Sequence, residues 1–263
     1  MPFNSIDGLR YFTFDSLTAA GVTHAVFTRQ GGVSPQPWGS LNLGGTVGDD
    51  PVRVAENRQR TFKALARDPH SLFDVWQVHG NEVVCADAPR PANTPHLKAD
   101  AILTDQARVT LLMRFADCVP ILLVDPVRRV VGLAHAGWQG TLRRVAQAAV
   151  QALHERYQSR PADLLAAIGP SIGAHHYEVG PEVAAQVRET FGQAAADLLA
   201  PHNGSGRPGV RLDLWAANRL VLEQAGVRSI EVAGLCTACD LDDWFSHRAE
   251  KGRTGRFGVM IGL

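Results

Sequence analysis

The stretch ADCVPILLVDPVRRVVGLAHAGW, residues 116–138, decides how this chain is read. Two apolar runs flank Asp125-Pro126, a turn signal, so the stretch predicts an antiparallel hairpin. A hairpin closed there pairs residues whose numbers sum to about 253 or 254. On that register Cys118 faces His135 at the open end, about 5 Å apart between Cα atoms. A thiol and an imidazole that meet can do two kinds of chemistry. They can share a metal, since both are zinc ligands. They can also act as nucleophile and base, with Asp117 or another carboxylate orienting the ring. The plain alternative makes Cys118 a small core residue and leaves the histidine unconnected.

A third ligand would have to come from another strand end. His79 fits, because SLFDVWQVHG (71–80) reads as a strand that stops at His79-Gly80. Two imidazoles and one thiolate leave the fourth tetrahedral position open, as catalytic zinc sites do. NEVVCAD (81–87) reads as the antiparallel return of that strand.

Outward from the hairpin, THAVFTR (23–29) predicts a strand, followed by the loop QGGVSPQPWGSLNLGG (30–45). Asp50 then Pro51 opens a helix, as N-cap and first-turn residues, running to about Arg67. GTLRRVAQAAVQALHERY (140–157) places Leu142, Val145, Ala149, Val150 and Leu153 at helical spacing and predicts one continuous helix. Strands follow at DLLAAIGP and SIEVAGL, helices near 181–200 and 213–225, and a last strand at RFGVMIGL. Helices and hairpin-linked strands mix without βα alternation, which predicts an α+β fold. No composition break divides residues 1–263, so they are expected to form a single domain.

The chain has 26 basic and 26 acidic residues. That balance gives no electrostatic case for nucleic acid or an anionic membrane as partner. No apolar run reaches the length of a membrane span, and the N-terminus lacks the pattern of a secretory signal. Cysteines 85, 118, 236 and 239 do not form a disulfide framework. The expectation is a cytoplasmic protein with reduced thiols, in which the Asn203 glycosylation acceptor carries no meaning. GSGRPG at 204–209 contains a proline and follows no strand, so it is not a dinucleotide fingerprint. Cys236-Thr-Ala-Cys239 is a lone C-x-x-C, read as a buried pair of non-ligands. Adjacent His175 and His176 would diverge in an extended chain, which argues against joint ligation. Arg29, Arg58 and Arg248 are candidates for an anionic substrate, since a guanidinium fork suits phosphate. Arg253 and Arg256 read as solvated surface charge.

TRQGGVS, SLNLG, GDDPVRVAENR, QVHG, ADC, HAGW, IGPSIG, YEVG and WFSHR…TGR occur in this order along nearly the whole chain. Together they resemble the laccase-domain family, first described as multicopper polyphenol oxidoreductases. The resemblance implies a purine nucleoside phosphorylase with adenosine deaminase and methylthioadenosine phosphorylase activities. Its substrates would be purine nucleosides and inorganic phosphate. It implies zinc held by His79, Cys118 and His135, with Arg58 helping to form the site. It implies mixed sheets flanked by helices, similar to cysteine-dependent deamidating toxins. Gln139 stands where the family usually has Arg or Lys, and His247 where it usually has Tyr, which bears on substrate preference. Ten histidines without one H-x-H pair give copper-dependent polyphenol oxidation little support, though such a site could take up copper adventitiously. In the resulting expectation Arg58, with Arg29 or Arg248, binds phosphate. Asp117 or Glu178 moves the proton, and Gly31 and Gly32 let loop backbone approach the ligand.

Overall fold

The computed structural model describes residues 2–202 and 209–263. Its strands are β1 (Phe3–Ile6), β2 (Leu9–Phe12), β3 (Thr23–Phe27), β4 (Leu72–Phe73), β5 (Val83–Cys85), β6 (Ala101–Thr104), β7 (Thr110–Phe115), β8 (Val119–Asp125), β9 (Val130–Ala136), β10 (Leu165–Ile168), β11 (Glu178–Val179), β12 (Leu199–His202), β13 (Gly209–Leu212), β14 (Ser229–Val232) and β15 (Phe257–Gly262). The α-helices are α1 (Asp15–Ala19), α2 (Pro51–Ala64), α3 (Trp138–Leu142), α4 (Val145–Tyr157), α5 (Pro181–Phe191), α6 (Ala195–Leu198) and α7 (Leu214–Gln224).

One six-stranded sheet runs β1-β2-β3-β15-β7-β4 and a second runs β14-β10-β8-β9-β6-β5. Their inner faces share one core, where Val26, Leu111, Met113 and Val259 meet Leu122, Val124, Val131 and Leu133. The outer face of the second sheet, with Leu103, Ile121 and Leu123, packs against Val145, Ala149, Val150 and Leu153 of α4 and Ala217 and Val221 of α7. The outer face of the first packs Phe27, Leu112 and Met260 against Phe62 of α2. The result is an α+β architecture of helix, sheet, sheet, helix. A small third sheet, β11-β13-β12, packs Leu212 into the same core as α4 and α7. Layers on both sides explain why β8 is buried along its whole length, so its apolar run is continuous rather than alternating.

The hairpin forms, with a register that sums to 255: Pro120 faces His135 and Asp125 faces Val130. The loop is therefore four residues, longer than the assumed turn. Asp125 Oδ1 accepts from the N–H of Val127 and of Arg128, and Arg129 is left-handed. Cys118 thus lies level with Gly137, and His135 is its diagonal neighbour on the same face.

Other departures have local causes. Residues 71–80 and 81–87 do not pair: β4 joins the first sheet beside β7, and β5 runs parallel to β6 in the second. Asp74 is completely buried and bound to Arg90 and Arg114, which draws the segment out of strand conformation. The side chain of Gln77 then both donates to the carbonyl of Arg114 and accepts from its N–H. The helix predicted over 140–157 is two helices, broken where Arg144 adopts φ 59°. Arginine gives no breaker signal, so the pattern could not show this. Helix α2 has the predicted N-cap, with Asp50 accepting from Val52, but ends at Ala64 ahead of left-handed Ala66. Among the described residues, no helix is long and apolar enough to cross a membrane. Asn203 and nearly all of the 204–209 stretch lie outside the described residues.

Candidate metal centre and substrate cavity

His79, Cys118 and His135 offer one ligand atom each, and these atoms all lie within 4.8 Å of one another. Cys118 sits just before β8 and His135 near the end of β9. His79 arrives on the irregular segment after β4 with φ 59°. Asp100, at the start of β6, holds the two histidines together. Its Oδ1 lies 2.8 Å from His135 Nδ1 and accepts from the N–H of His79. Its Oδ2 accepts from the N–H of Val78 and of Gly80. Arg143 Nη1 closes the same segment by donating to the carbonyl of His79. With Nδ1 engaged by Asp100, the imidazole of His135 is left with Nε2 for the cluster.

Burial opposes a charge on the Cys118 thiol, but the adjacent His135 and His79 outweigh it and bring the pKa down to about 6. Burial likewise opposes protonation of His135, while the Cys118 charge and Asp100 raise it to about 9. Burial pushes Asp100 up, but its hydrogen bonds from His135 and the Gly80 N–H hold it below the ordinary carboxylate value. The thiolate is therefore favoured at neutral pH, the form a metal requires. Gly137 keeps the cluster open, because a Cβ there would stand 2.9 Å from Cys118 Sγ and 3.2 Å from His79 Cδ2. Two imidazoles, one soft thiolate and a carboxylate fixing one ring suit zinc, with a position left for a fourth ligand.

The cluster opens into a cavity of about 760 Å³. Arg58 lines it, as do Arg114, Arg248 and Arg256. Arg58 Nη2 donates to the carbonyl of Leu43, while its buried Nε has no protein partner. Burial, then the nearby charge of Arg114, lowers its pKa to about 10, with Asp74 opposing. The cation is kept at neutral pH and is short of counter-charge. Arg248 lies over the ring of Tyr177, 5.0 Å from its centroid. Aromatic surface on the cavity comes from Trp76, Trp138 and Tyr177, and both Gln139 and His247 face it.

Several expected residues lie elsewhere. Arg29 is 7% exposed and away from this cavity. It donates to the carbonyls of Gly39, Leu241 and Trp244, pairs with Glu250 and covers the Phe245 ring. Its charge is spent on joining the 30–45 loop to the C-terminal segment. Gly31 and Gly32 pack on backbone at Gly8 and Ser40, and the glycines at the cavity are Gly44, Gly45 and Gly137. Asp117 borders the cavity but accepts from Thr237 Oγ1 and from the Arg248 N–H. Glu178 is outside the cavity wall, and its carbonyl accepts from Arg248. Arg256 is half-buried on the wall, not solvated, because the final strand carries it inward; Arg253 is exposed. Asp100, Asp74 and Arg114 were not legible as site residues, since each acts through partners distant in sequence.

Residues 23–263 match the family model described as multi-copper polyphenol oxidoreductase laccase. A Deinococcus radiodurans protein named purine nucleoside phosphorylase is 41% identical over 92% of this chain and 89% of its own. Purine nucleoside phosphorylase YlmD of Bacillus subtilis is 39% identical over 90% of this chain and 86% of its own. The crystal structure of YlmD from Geobacillus stearothermophilus superposes with a TM-score of 0.90 at 35% identity, covering 99% of this chain and 98% of that one. The hypothetical protein YfiH of Bacillus licheniformis gives the same TM-score and identity over 100% and 99%.

Proposed function

This chain belongs to the multi-copper polyphenol oxidoreductase laccase family, and from that premise we propose that it is a zinc-dependent purine nucleoside phosphorylase. The observation that carries the proposal is the half-buried, under-compensated guanidinium of Arg58 lining the same cavity as the His79/Cys118/His135 cluster. A phosphorylase must bring a phosphate to C1′ of the ribose while the purine leaves. Arg58 holds the phosphate and stabilises charge as attack proceeds, in a site where a fixed cation is worth more than in water. Arg248, exposed at the rim, assists entry of the anion. The rings of Trp76, Trp138 and Tyr177 offer apolar faces to a purine. His79, Cys118 and His135 would hold the zinc, which would supply Lewis acidity at the site. The same arrangement serves inosine, guanosine, adenosine and methylthioadenosine, and extends to adenosine deamination.

The test is product analysis with purified, zinc-replete protein. Inosine should yield hypoxanthine and ribose 1-phosphate only when phosphate is supplied. Absence of turnover of every purine nucleoside by zinc-loaded protein overturns the proposal.

One observation favours a second reading. Cys118, His135 and Asp100 stand in the order of a nucleophile, base and orienting carboxylate. A metal-free cysteine hydrolase built this way keeps full activity after exhaustive chelation, whereas the phosphorylase loses it.

A further inference from the structure

We propose a second metal centre, distinct from the His79/Cys118/His135 cluster, in which His175, His176, Cys236 and Cys239 bind a zinc ion. The four residues each offer a ligand atom, and all four atoms lie within 4.8 Å of one another. Zinc bonds of about 2.3 Å to sulfur and about 2.0 Å to nitrogen give a tetrahedron with edges of roughly 3.3–3.8 Å. The cluster is thus already gathered to near that size.

Both sequence objections to such a site fail for structural reasons. Adjacent side chains diverge in a strand, but Ala174–His176 forms a 3-10 turn. The two imidazoles consequently stay together, with ring centroids 4.7 Å apart. The lone C-x-x-C lacks a second cysteine pair, yet it does not lack ligands, because the histidine turn supplies them. Nor is it a buried pair: Cys236 is buried and Cys239 exposed.

The local hydrogen bonds fit metal-binding sulfur. The N–H of Cys239 donates to the carbonyl of Cys236, folding the C-x-x-C into a turn. The N–H of Gly173 donates to Cys236 Sγ at 3.2 Å, a contact that favours a thiolate. His175 Nε2 lies 2.9 Å from Cys239 Sγ. A parallel bridge between Ser171 and Cys236 sets the two loops side by side.

Two histidines and two cysteines complete a tetrahedron, so this centre is closed and structural rather than catalytic. It would staple the loop that carries Tyr177 to the loop of residues 236–239. Tyr177, next to His176, lines that cavity. Thr237, between the two cysteines, holds Asp117 beside Cys118 through a 2.7 Å hydrogen bond.

Metal analysis after purification under reducing, zinc-replete conditions tests the proposal. The wild type should hold about two zinc ions per chain, on the reading that the first cluster also binds one. Cys239→Ser and His176→Ala should each lose one, Cys118→Ser should lose the other, and Cys118→Ser with Cys239→Ser should hold none. Cobalt(II) gives a second readout that needs no change at the proposed site. In Cys118→Ser, thiolate-to-cobalt charge-transfer absorption should persist at the share expected of two sulfurs out of three. Disappearance of that absorption overturns the proposal. So does a zinc count unaltered by Cys239→Ser and His176→Ala, or the loss of every bound ion in reduced Cys118→Ser. Failure of nucleoside phosphorolysis leaves these metal counts untouched, so the two proposals fall separately.

Discussion

Asp100 Oδ1 lies 2.8 Å from Nδ1 of His135, and the same carboxylate accepts the N–H groups of Val78, His79 and Gly80. One buried side chain therefore fixes a ring on β9 and the backbone that carries His79. Replacing it disturbs two ligands at once. Asp100→Asn is expected to weaken zinc affinity by about 10–100-fold, the usual effect of losing a ligand's hydrogen-bonded carboxylate. Competition with a chromogenic chelator measures it. Unchanged affinity would show that His135 is held without the carboxylate.

Gly137 stands level with Cys118 across the hairpin. A methyl group there meets the sulfur at 2.9 Å and His79 at 3.2 Å, closer than ordinary contact. Gly137→Ala is expected to lose the zinc ion assigned to His79, Cys118 and His135 while leaving the two-sheet fold intact. Metal analysis and circular dichroism together report the outcome, and full zinc occupancy in a folded variant contradicts it.

Arg58 lines the cavity, and its buried Nε has no partner in the protein. Arg58→Ala should lower kcat/KM for phosphorolysis by about 10²-fold or more, as removal of a charge-stabilising donor does. Arg58→Lys keeps the charge without the fork and should recover only part of it. The wild-type guanidinium, with a pKa of about 10, is charged at neutral pH. The KM for phosphate should accordingly rise as pH climbs toward 10, and in Arg58→Ala this rise should be missing.

Arg29 makes the opposite case. Its hydrogen bonds run to backbone carbonyls and Glu250 inside the protein. Arg29→Ala should cost about 3 kcal/mol in stability, because Glu250 and those carbonyls lose their partner. The KM for phosphate in the remaining folded protein should stay within about twofold of wild type, well short of the tenfold that about 1.4 kcal/mol of lost binding brings. Urea unfolding and steady-state kinetics separate the two effects.

Asp74 carries an acid-sensitive part of the stability. Burial opposes its charge, but Arg114 and Arg90 overcome this and hold its pKa at about 2, against an ordinary 3.8. A carboxylate depressed in the folded state stabilises above its unfolded pKa and loses that contribution as pH falls through the folded one. The shift is worth about 2 kcal/mol, lost between about pH 4 and pH 2. Urea unfolding across that range should show the decline in wild type and lack this component in Asp74→Asn. Parallel declines in the two proteins would contradict the assignment.

Much of this was legible where local chemistry governs. The Asp50–Pro51 helix start, the β8–β9 hairpin and the final strand each follow from a cap, an apolar run or a turn residue. Segments governed by distant partners were misread. The 71–80 stretch looked like a paired strand, and the buried charge of Asp74 and the side chain of Gln77 made it irregular. Arg29 is buried away from the cavity and Arg256 lines it, each against expectation, because which arginine faces the cavity depends on loop placement and not on residue type.

By itself the amino-acid sequence determined the α+β class and the closeness of a thiol and an imidazole at one end of a hairpin, whereas the residues at 175–176 and 236–239 read as non-ligands. These depend on period, turn chemistry and residue identity, which act over a few positions. Only the tertiary structure decided the register that makes Cys118 and His135 diagonal neighbours, the arrival of His79 beside them, and the gathering of His175 and His176 onto the C-x-x-C turn. Those contacts join positions tens of residues apart. They exist because two sheets had to bury a common core, and that packing set where each loop ends.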